Sequence, residues 1–360
     1  MAEQRQQLGV LQRRHRLEGF GAQITVHAPA SSTAEVAAVC EQEQQLGAVY
    51  TTPTTCSPAS RFAQATAAVR QHATRTGSTN AVLLDAQRYS GKRRISGKEP
   101  QDLQWTAHQH QLGLPWALTD SGYIGERDLP ALQNTLGEGS RHDGQTIVAL
   151  PLHHTWLAQH ADQLRHQIDA AGLPVALMLE HRDDPFGVGK TLQGFVEVLD
   201  ARVPVCLLRC DISAVGALAF GAVVAAVGTK TSLRHIYPLQ TKRGGGRPAS
   251  TAAIVPRGLL YKQLDRIREA VVADGDQTHW TCQCVFCAAR TLDWLITSED
   301  AFQHSLAALA ALTEYVLSSP DPRDTWRERC RDAQFVNIDI ETTTGLDWQP
   351  PAFLGHWLNV

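Results

Sequence analysis

An α/β chain folded as a (β/α)8 TIM-type barrel with a C-terminal helical subdomain is the architecture this sequence predicts, on three observations. Short apolar runs recur along the chain as far as Val255, stretches with apolar residues at helical spacing lie between several of them, and polar residues stand at the ends of the runs. Several runs are continuous rather than alternating, as strands buried on both faces require, and strand–helix alternation builds a parallel sheet. A doubly wound sheet would satisfy the same alternation; eight runs suit the barrel. With 360 residues, 43% hydrophobic and 19% charged, the chain has material for a large core, which excludes collagen-like, coiled-coil and wholly disordered readings.

The strand candidates are, in order, residues 24–27, 81–84, 116–119, 147–150, 175–179, 205–208, 223–227 and 252–255. Helices at 157–171, 192–198 and 212–220 serve as crossovers. After Pro256 the pattern turns helical at 259–272, 288–296 and 301–317, and 334–360, with Pro350-Pro351, reads as an extended tail. This gives a barrel with an N-terminal extension over 1–270, a helical subdomain completing it over 271–330, and a tail packed on the body over 331–360.

Lys plus Arg (33) against Asp plus Glu (36) gives a net charge of −3, so binding of nucleic acid would rest on local basic patches. The N-terminal MAEQRQQLGVLQRRHR lacks the apolar core of a secretory signal, which predicts a cytoplasmic protein. The uncharged stretch between Asp211 and Lys230 is Ala/Gly-rich and broken by Gly216, Gly221 and Gly228, so it reads as a buried helix and strand rather than a membrane span.

A parallel barrel delivers the C-terminal ends of its strands to the face where active sites sit. Here those ends carry Asp85, Asp120, His153 and His154, Glu180, and Arg209 with Asp211. Each carboxylate alone is also an ordinary cap for the next helix; four of them at one face point to chemistry. Asp120 belongs to Thr119-Asp-Ser121-Gly122-Tyr123, where a glycine permits close backbone approach and a tyrosine is placed to stack on a flat ligand.

The sharpest local pattern is Cys282-Gln-Cys284-Val-Phe-Cys287, with sixteen residues between it and His304. In a cytoplasmic chain clustered cysteines favour a metal over disulfides, and three thiolates with one imidazole make a closed, structural Cys3His zinc site, one Zn2+ per chain. An iron–sulfur cluster would want a fourth cysteine, for which Cys330 is the neighbour. Gly187-Val-Gly-Lys-Thr191 looks like the end of a P-loop, but Asp184 stands where that pattern needs Gly. His153, His154, His160 and His166 lack metal-site spacing and read as surface or capping residues.

Together the Thr-Asp-Ser-Gly-Tyr strand end and the Cys-x-Cys-x-x-Cys…His pattern resemble the tRNA-guanine transglycosylase superfamily over about residues 80–320. The run 211–221 is similar to that superfamily's late helix. The resemblance implies a zinc-bearing barrel that exchanges a guanine in nucleic acid for a 7-deazaguanine. Asp120 would contact the target base and handle protons, and Cys282, Cys284, Cys287 and His304 would hold the zinc. Tyr123 replaces the second Gly of the tRNA enzymes' Asp-Ser-Gly-Gly, no Gly-Gly-Leu loop occurs, and the segment 222–235 lacks their aspartate nucleophile. These departures favour a branch resembling the bacterial enzymes that place 7-deazaguanines, such as preQ0, in DNA.

Base exchange with retention needs a carboxylate that attacks the anomeric carbon and a second group that moves protons. Asp120 and Asp85 are the expected pair. Ser121, Gly122, Tyr123, Glu180 and Asp211 are expected around the substrate. Arg88, Lys92, Arg93 and Arg94 in one loop, and Lys242, Arg243 and Arg247 in another, are expected to meet phosphates. Glycines 244–246 suit a loop that orders on a backbone, and Tyr89 and Tyr123 suit stacking on a flipped base. DNA is favoured over tRNA as partner, and the sequence admits a protein partner or a homodimer. The rivals are a tRNA-guanine transglycosylase and a non-catalytic, zinc-bearing, nucleic-acid-binding subunit.

Overall fold

The computed structural model describes residues 16–53, 57–239 and 251–360. The chain divides into two compact units, Met1–Pro185 with Lys190–Leu239 and Phe186–Gly189 with Gln240–Val360.

The first unit is a nearly closed (β/α)8 barrel of the TIM type. Its strands are β1 (Ile24–Pro29), β2 (Leu46–Thr51), β3 (Val82–Asp85), β4 (Ala117–Leu118), β5 (Thr146–His153), β6 (Val175–Glu180), β7 (Val205–Cys210) and β8 (Ala225–Gly228). They form one sheet in the order β3-β2-β1-β8-β7-β6-β5-β4, and each pairing is parallel. Between them run α1 (Thr33–Gln42), α2 (Pro58–Thr76), α3 (Leu103–Gln111), α4 (Leu129–Gly139), α5 (Thr155–Ala171), α6 (Gly189–Val198) and α7 (Ser213–Phe220). Successive strands contribute alternate residues to one buried cluster, as in Ile147 and Ala149, Ala176 and Met178, and Cys206 and Leu208. That period of two is what fills a barrel interior with side chains in layers.

Two assignments from the sequence are corrected here. The run at 252–255 is not a barrel strand; it is β9 (Ala252–Val255), paired antiparallel with β10 (Leu260–Gln263) in the second unit. The eighth barrel strand is β2, which the sequence hides because Gly47 interrupts it. A Cβ at Gly47 would stand 2.6 Å from the Ala81 carbonyl oxygen and 2.8 Å from Thr25 Cγ2, so the strand can pack only with glycine there.

The second unit continues with α8 (Leu264–Ala273), α9 (Ser298–Leu317), α10 (Pro322–Thr344) and α11 (Ala352–Trp357). The helix expected at 259–272 is therefore β10 followed by α8. The helix expected at 288–296 is a tight turn, with Ala288 and Ala289 at positive φ and a single 3-10 turn at Leu292–Trp294. The tail read as extended is mostly helical. In α10, Trp326, Cys330, Ala333, Asn337 and Ile340 are buried at heptad-like spacing, Asp321 caps the N-terminus, Pro322 opens it and Gly345 closes it at φ 68. Around these helices a core gathers on Val255, Ile267, Val271, Trp280 and Trp348. No helix of the described residues is long and apolar enough to cross a membrane.

Candidate active site and metal centre

Three buried acids stand at the C-terminal ends of the barrel strands, and each takes a partner from the single loop that follows β3. Asp85, the last residue of β3, is 1% exposed. Its Oδ2 accepts from Tyr89 Oη at 2.6 Å and lies 3.1 Å from His27 Nε2, and its Oδ1 accepts from the Gln87 amide at 2.8 Å. Gln87 holds φ 53 to aim that amide, the start of a turn that folds the loop back over the mouth. Arg209, also at positive φ, donates to Tyr89 Oη at 3.2 Å and to the Ser232 carbonyl at 2.6 Å. Burial by itself would raise the Asp85 pKa; the hydrogen bond and charge of His27, with Arg209 and Tyr89, overcome it and hold the carboxyl below its ordinary range. Burial is also the largest influence on His27, and it lowers the pKa of that ring against the pull of Asp85.

Asp120, 2% exposed, follows β4. Its Oδ1 accepts from the Asp102 amide at 2.8 Å, at the N-cap of α3, and Arg88 donates to Oδ2. Arg61 of α2 lies 3.9 Å from the same oxygen and pairs with Asp102 at 3.1 Å. Glu180, the last residue of β6, accepts from Tyr123 Oη at 2.5 Å and from Arg94 Nη1 at 2.5 Å. The Arg94 guanidinium also lies 3.8 Å from the Tyr123 ring centre.

The remaining expected residues fall around this frame. Ser121 Oγ is 2.7 Å from Thr119 Oγ1 and accepts from Gln101 Nε2 at 3.1 Å. At Gly122 the close approach is by the chain itself: a Cβ there would lie 2.1 Å from the Ser96 carbonyl oxygen. Loop and strand end are zipped together as Tyr123 N–H donates to Ile95 O and Gly97 N–H to Tyr123 O, each at 2.8 Å. Tyr123 and Tyr89 are not open stacking platforms, since both are buried and their rings already face Arg94 and Arg209. Asp211 stays apart from the three paired acids, half-buried and 3.9 Å from Arg234. Arg88 and Arg94 turn inward onto acids, whereas Lys92 and Arg93 are exposed. Lys242, Arg243 and Arg247 lie outside the described residues.

Sequence reasoning missed His27 and Arg61. The first had a signal, a lone histidine closing an apolar run, and its barrel neighbour Gly228 ends β8 in register with it. Arg61 sits in a helix far from Asp120 in sequence, and no local pattern announces it. His153 closes β5, His154 comes directly after it and His181 follows β6; the His154 ring is tilted against His153 at 4.8 Å between centroids and edge-on to His181 at 4.6 Å.

In the second unit Cys282, Cys284, Cys287 and His304 are buried, and their ligand atoms all lie within 4.8 Å of one another. Such a group can hold a metal ion. The donor set fits one: His304 Nε2 is tied to the Ile254 carbonyl at 2.8 Å, which leaves Nδ1 facing Cys287 Sγ at 3.0 Å and Cys284 Sγ at 3.7 Å. Anchoring one imidazole nitrogen fixes the tautomer that ligates through the other. Hydrogen bonds from the Cys282 and Cys287 thiols, with one from His304, draw Cys284 strongly toward the thiolate. An ion held by all four side chains would have every tetrahedral position filled by protein.

No protein-family model matches the chain, and no curated protein matches it. Among solved structures it is similar to a thiamine phosphate pyrophosphorylase from Pyrococcus furiosus, at 10% identity and a TM-score of 0.35, over 60% of this chain and 92% of that one. It is also similar to an N-acetylneuraminate lyase from Mycoplasma synoviae, at 12% identity and a TM-score of 0.36, over 59% of this chain and 70% of that one.

Proposed function

We propose that this chain is a cytoplasmic pentosyltransferase of the guanine transglycosylase type, which replaces guanine in nucleic acid, DNA before tRNA, with a 7-deazaguanine base. The observation that carries this reading is Asp120. It is a carboxylate fixed by a backbone amide at a helix N-cap, at the end of a barrel strand, with a guanidinium already bonded to it. Guanine offers the same chemistry on its Watson–Crick edge, where N1–H and the 2-amino group donate side by side. A base entering the mouth would displace Arg88 and give Asp120 the donors it now receives from the loop.

Asp85 and Glu180 supply the further carboxylates that base exchange needs. Attack of one on C1′ forms a glycosyl ester as the guanine leaves, and the incoming base reverses the step, so retention follows from two displacements. Asp85, held low in pKa by His27 and Tyr89, suits the nucleophile; Asp120, in contact with the base edge, suits proton transfer. The ion in the cysteine cluster is zinc in this reading, and it staples the second unit without entering the reaction.

A second reading, the non-catalytic subunit, is favoured by one observation. The last barrel strand ends in Gly228, and a Cβ there would lie 2.4 Å from the Leu233 carbonyl, so position 228 cannot carry a nucleophilic side chain. Incubating the purified, zinc-loaded chain with duplex DNA or tRNA and an isotope-labelled 7-deazaguanine separates the two. Incorporation that disappears in Asp120→Asn supports the enzyme; none in either polymer supports the subunit.

A further inference from the structure

Beside the acids, on the same rim of the barrel, a cleft of about 470 Å³ opens between Pro53, Pro58, the loop after β3 and the start of α3. Its walls carry three guanidiniums, Arg61, Arg88 and Arg93, against one carboxylate, Asp102; the rest is Gln101 and apolar side chains such as Ile95. We propose that this cleft is a binding site for a phosphate group.

The cleft holds more N–H donors and positive charge than its own acids use. Arg88 spends one donor on Asp120, and Arg61 pairs through Nη2 with Asp102 and leaves its buried Nε–H without an acceptor. Arg93 has no hydrogen bond or ion pair among the described residues and is exposed at the cleft edge. Even with both nearby aspartates counted, the three guanidiniums leave one positive charge and a surplus of N–H groups. A phosphate oxyanion, with several acceptors and a planar fit to guanidinium, is the ligand chemistry that uses them. Asp102 faces away from this role, because its carboxylate is occupied by Arg61 and by the Gln104 amide of its own helix. The apolar walls shield the site and would favour a phosphate carried on an organic group over the free ion.

The site stands on the cleft alone and holds whether or not the barrel exchanges bases. The phosphate could be a monoester on a small molecule or a diester in a polymer, and the test separates them. Full-length protein is titrated by calorimetry with inorganic phosphate, a nucleoside 5′-monophosphate and a short single-stranded oligodeoxynucleotide. Arg93→Gln removes an exposed, unpaired cation and leaves the fold intact, as a melting curve will verify. Arg70→Gln, an exposed arginine on α2 outside the cleft, controls for diffuse charge. At least one phosphate probe is expected to bind, with Arg93→Gln weakening it about tenfold and Arg70→Gln leaving it unchanged. Tight monophosphate binding assigns a monoester, and binding of the oligonucleotide alone assigns a diester; both support the site. No binding of any probe, or equal losses in the two variants, would overturn it. Phosphate binding without base incorporation would sink the transglycosylase reading and leave this one standing.

Discussion

Arg88 reaches across from the loop after β3 to donate to Asp120, the acid that closes the neighbouring strand end. The same loop places Tyr89 on Asp85 and Arg94 on Glu180, so one stretch of chain engages three buried carboxylates that lie at three different strand ends. Burying an unpaired charge is costly, and a mouth holding three acids needs cations or donors aimed into it.

Asp120→Asn keeps the shape of the side chain but gives it an amide that competes with its own donors. The variant should fold, and base incorporation by the purified chain should fall by about 10² or more, the scale for losing a positioned proton-transfer group. Activity within a few-fold of wild type would remove Asp120 from the chemistry.

Gly122→Ala should destabilise the barrel by about 2–4 kcal/mol in urea unfolding, because a methyl group there meets the Ser96 carbonyl and neither backbone segment can give way. The loss should come with weaker incorporation, since the loop that Gly122 seats is the one that engages the acids. A neutral substitution would mean that the loop does not dock as described.

Metal analysis should find about one zinc per chain, and Cys284→Ser should lose it and lower the melting temperature by about 10 °C or more. Incorporation measured well below that melting point should survive in part, as expected of a structural ion. Iron in place of zinc would reassign the cluster.

His72 is 3% exposed, and its Nδ1 shares a hydrogen bond with Tyr50 Oη at 2.8 Å. Burial lowers its pKa from 6.5 to about 4. The folded state thus binds the proton more weakly than the unfolded chain. The stability it contributes is present above about pH 6.5 and is lost as pH falls from 6.5 to 4, by at most about 3 kcal/mol. Urea unfolding at pH 7, 5.5 and 4.5 should show that slope, and His72→Gln, which keeps an acceptor without titrating, should flatten it. An unchanged slope would assign the acid sensitivity elsewhere.

How much of this was legible in the sequence depended on the range of the interaction. Asp85, Asp120 and Glu180 announced themselves because each follows a continuous apolar run, and that is a local pattern. The cysteine cluster was equally plain, with three ligands inside six residues. The pairing of Arg88 and Arg94 with acids was not legible, since these residues lie 32 and 86 positions from their partners and look like any solvated basic loop. β2 was lost to Gly47, whose meaning is a contact with Ala81 and Thr25 that only the packed sheet reveals. In contrast, α10 carried every helix signal, from the Asp321 cap through the buried stripe to Gly345; its polar surroundings masked the period.

The measurement that tests the central claim most directly is mass spectrometry of nucleosides from genomic DNA and tRNA of cells with and without this gene. The account predicts a 7-deazaguanine deoxynucleoside in DNA that vanishes when the gene is deleted and does not return with an Asp120→Asn copy. Identical nucleoside pools in both strains, for DNA and tRNA alike, would contradict it.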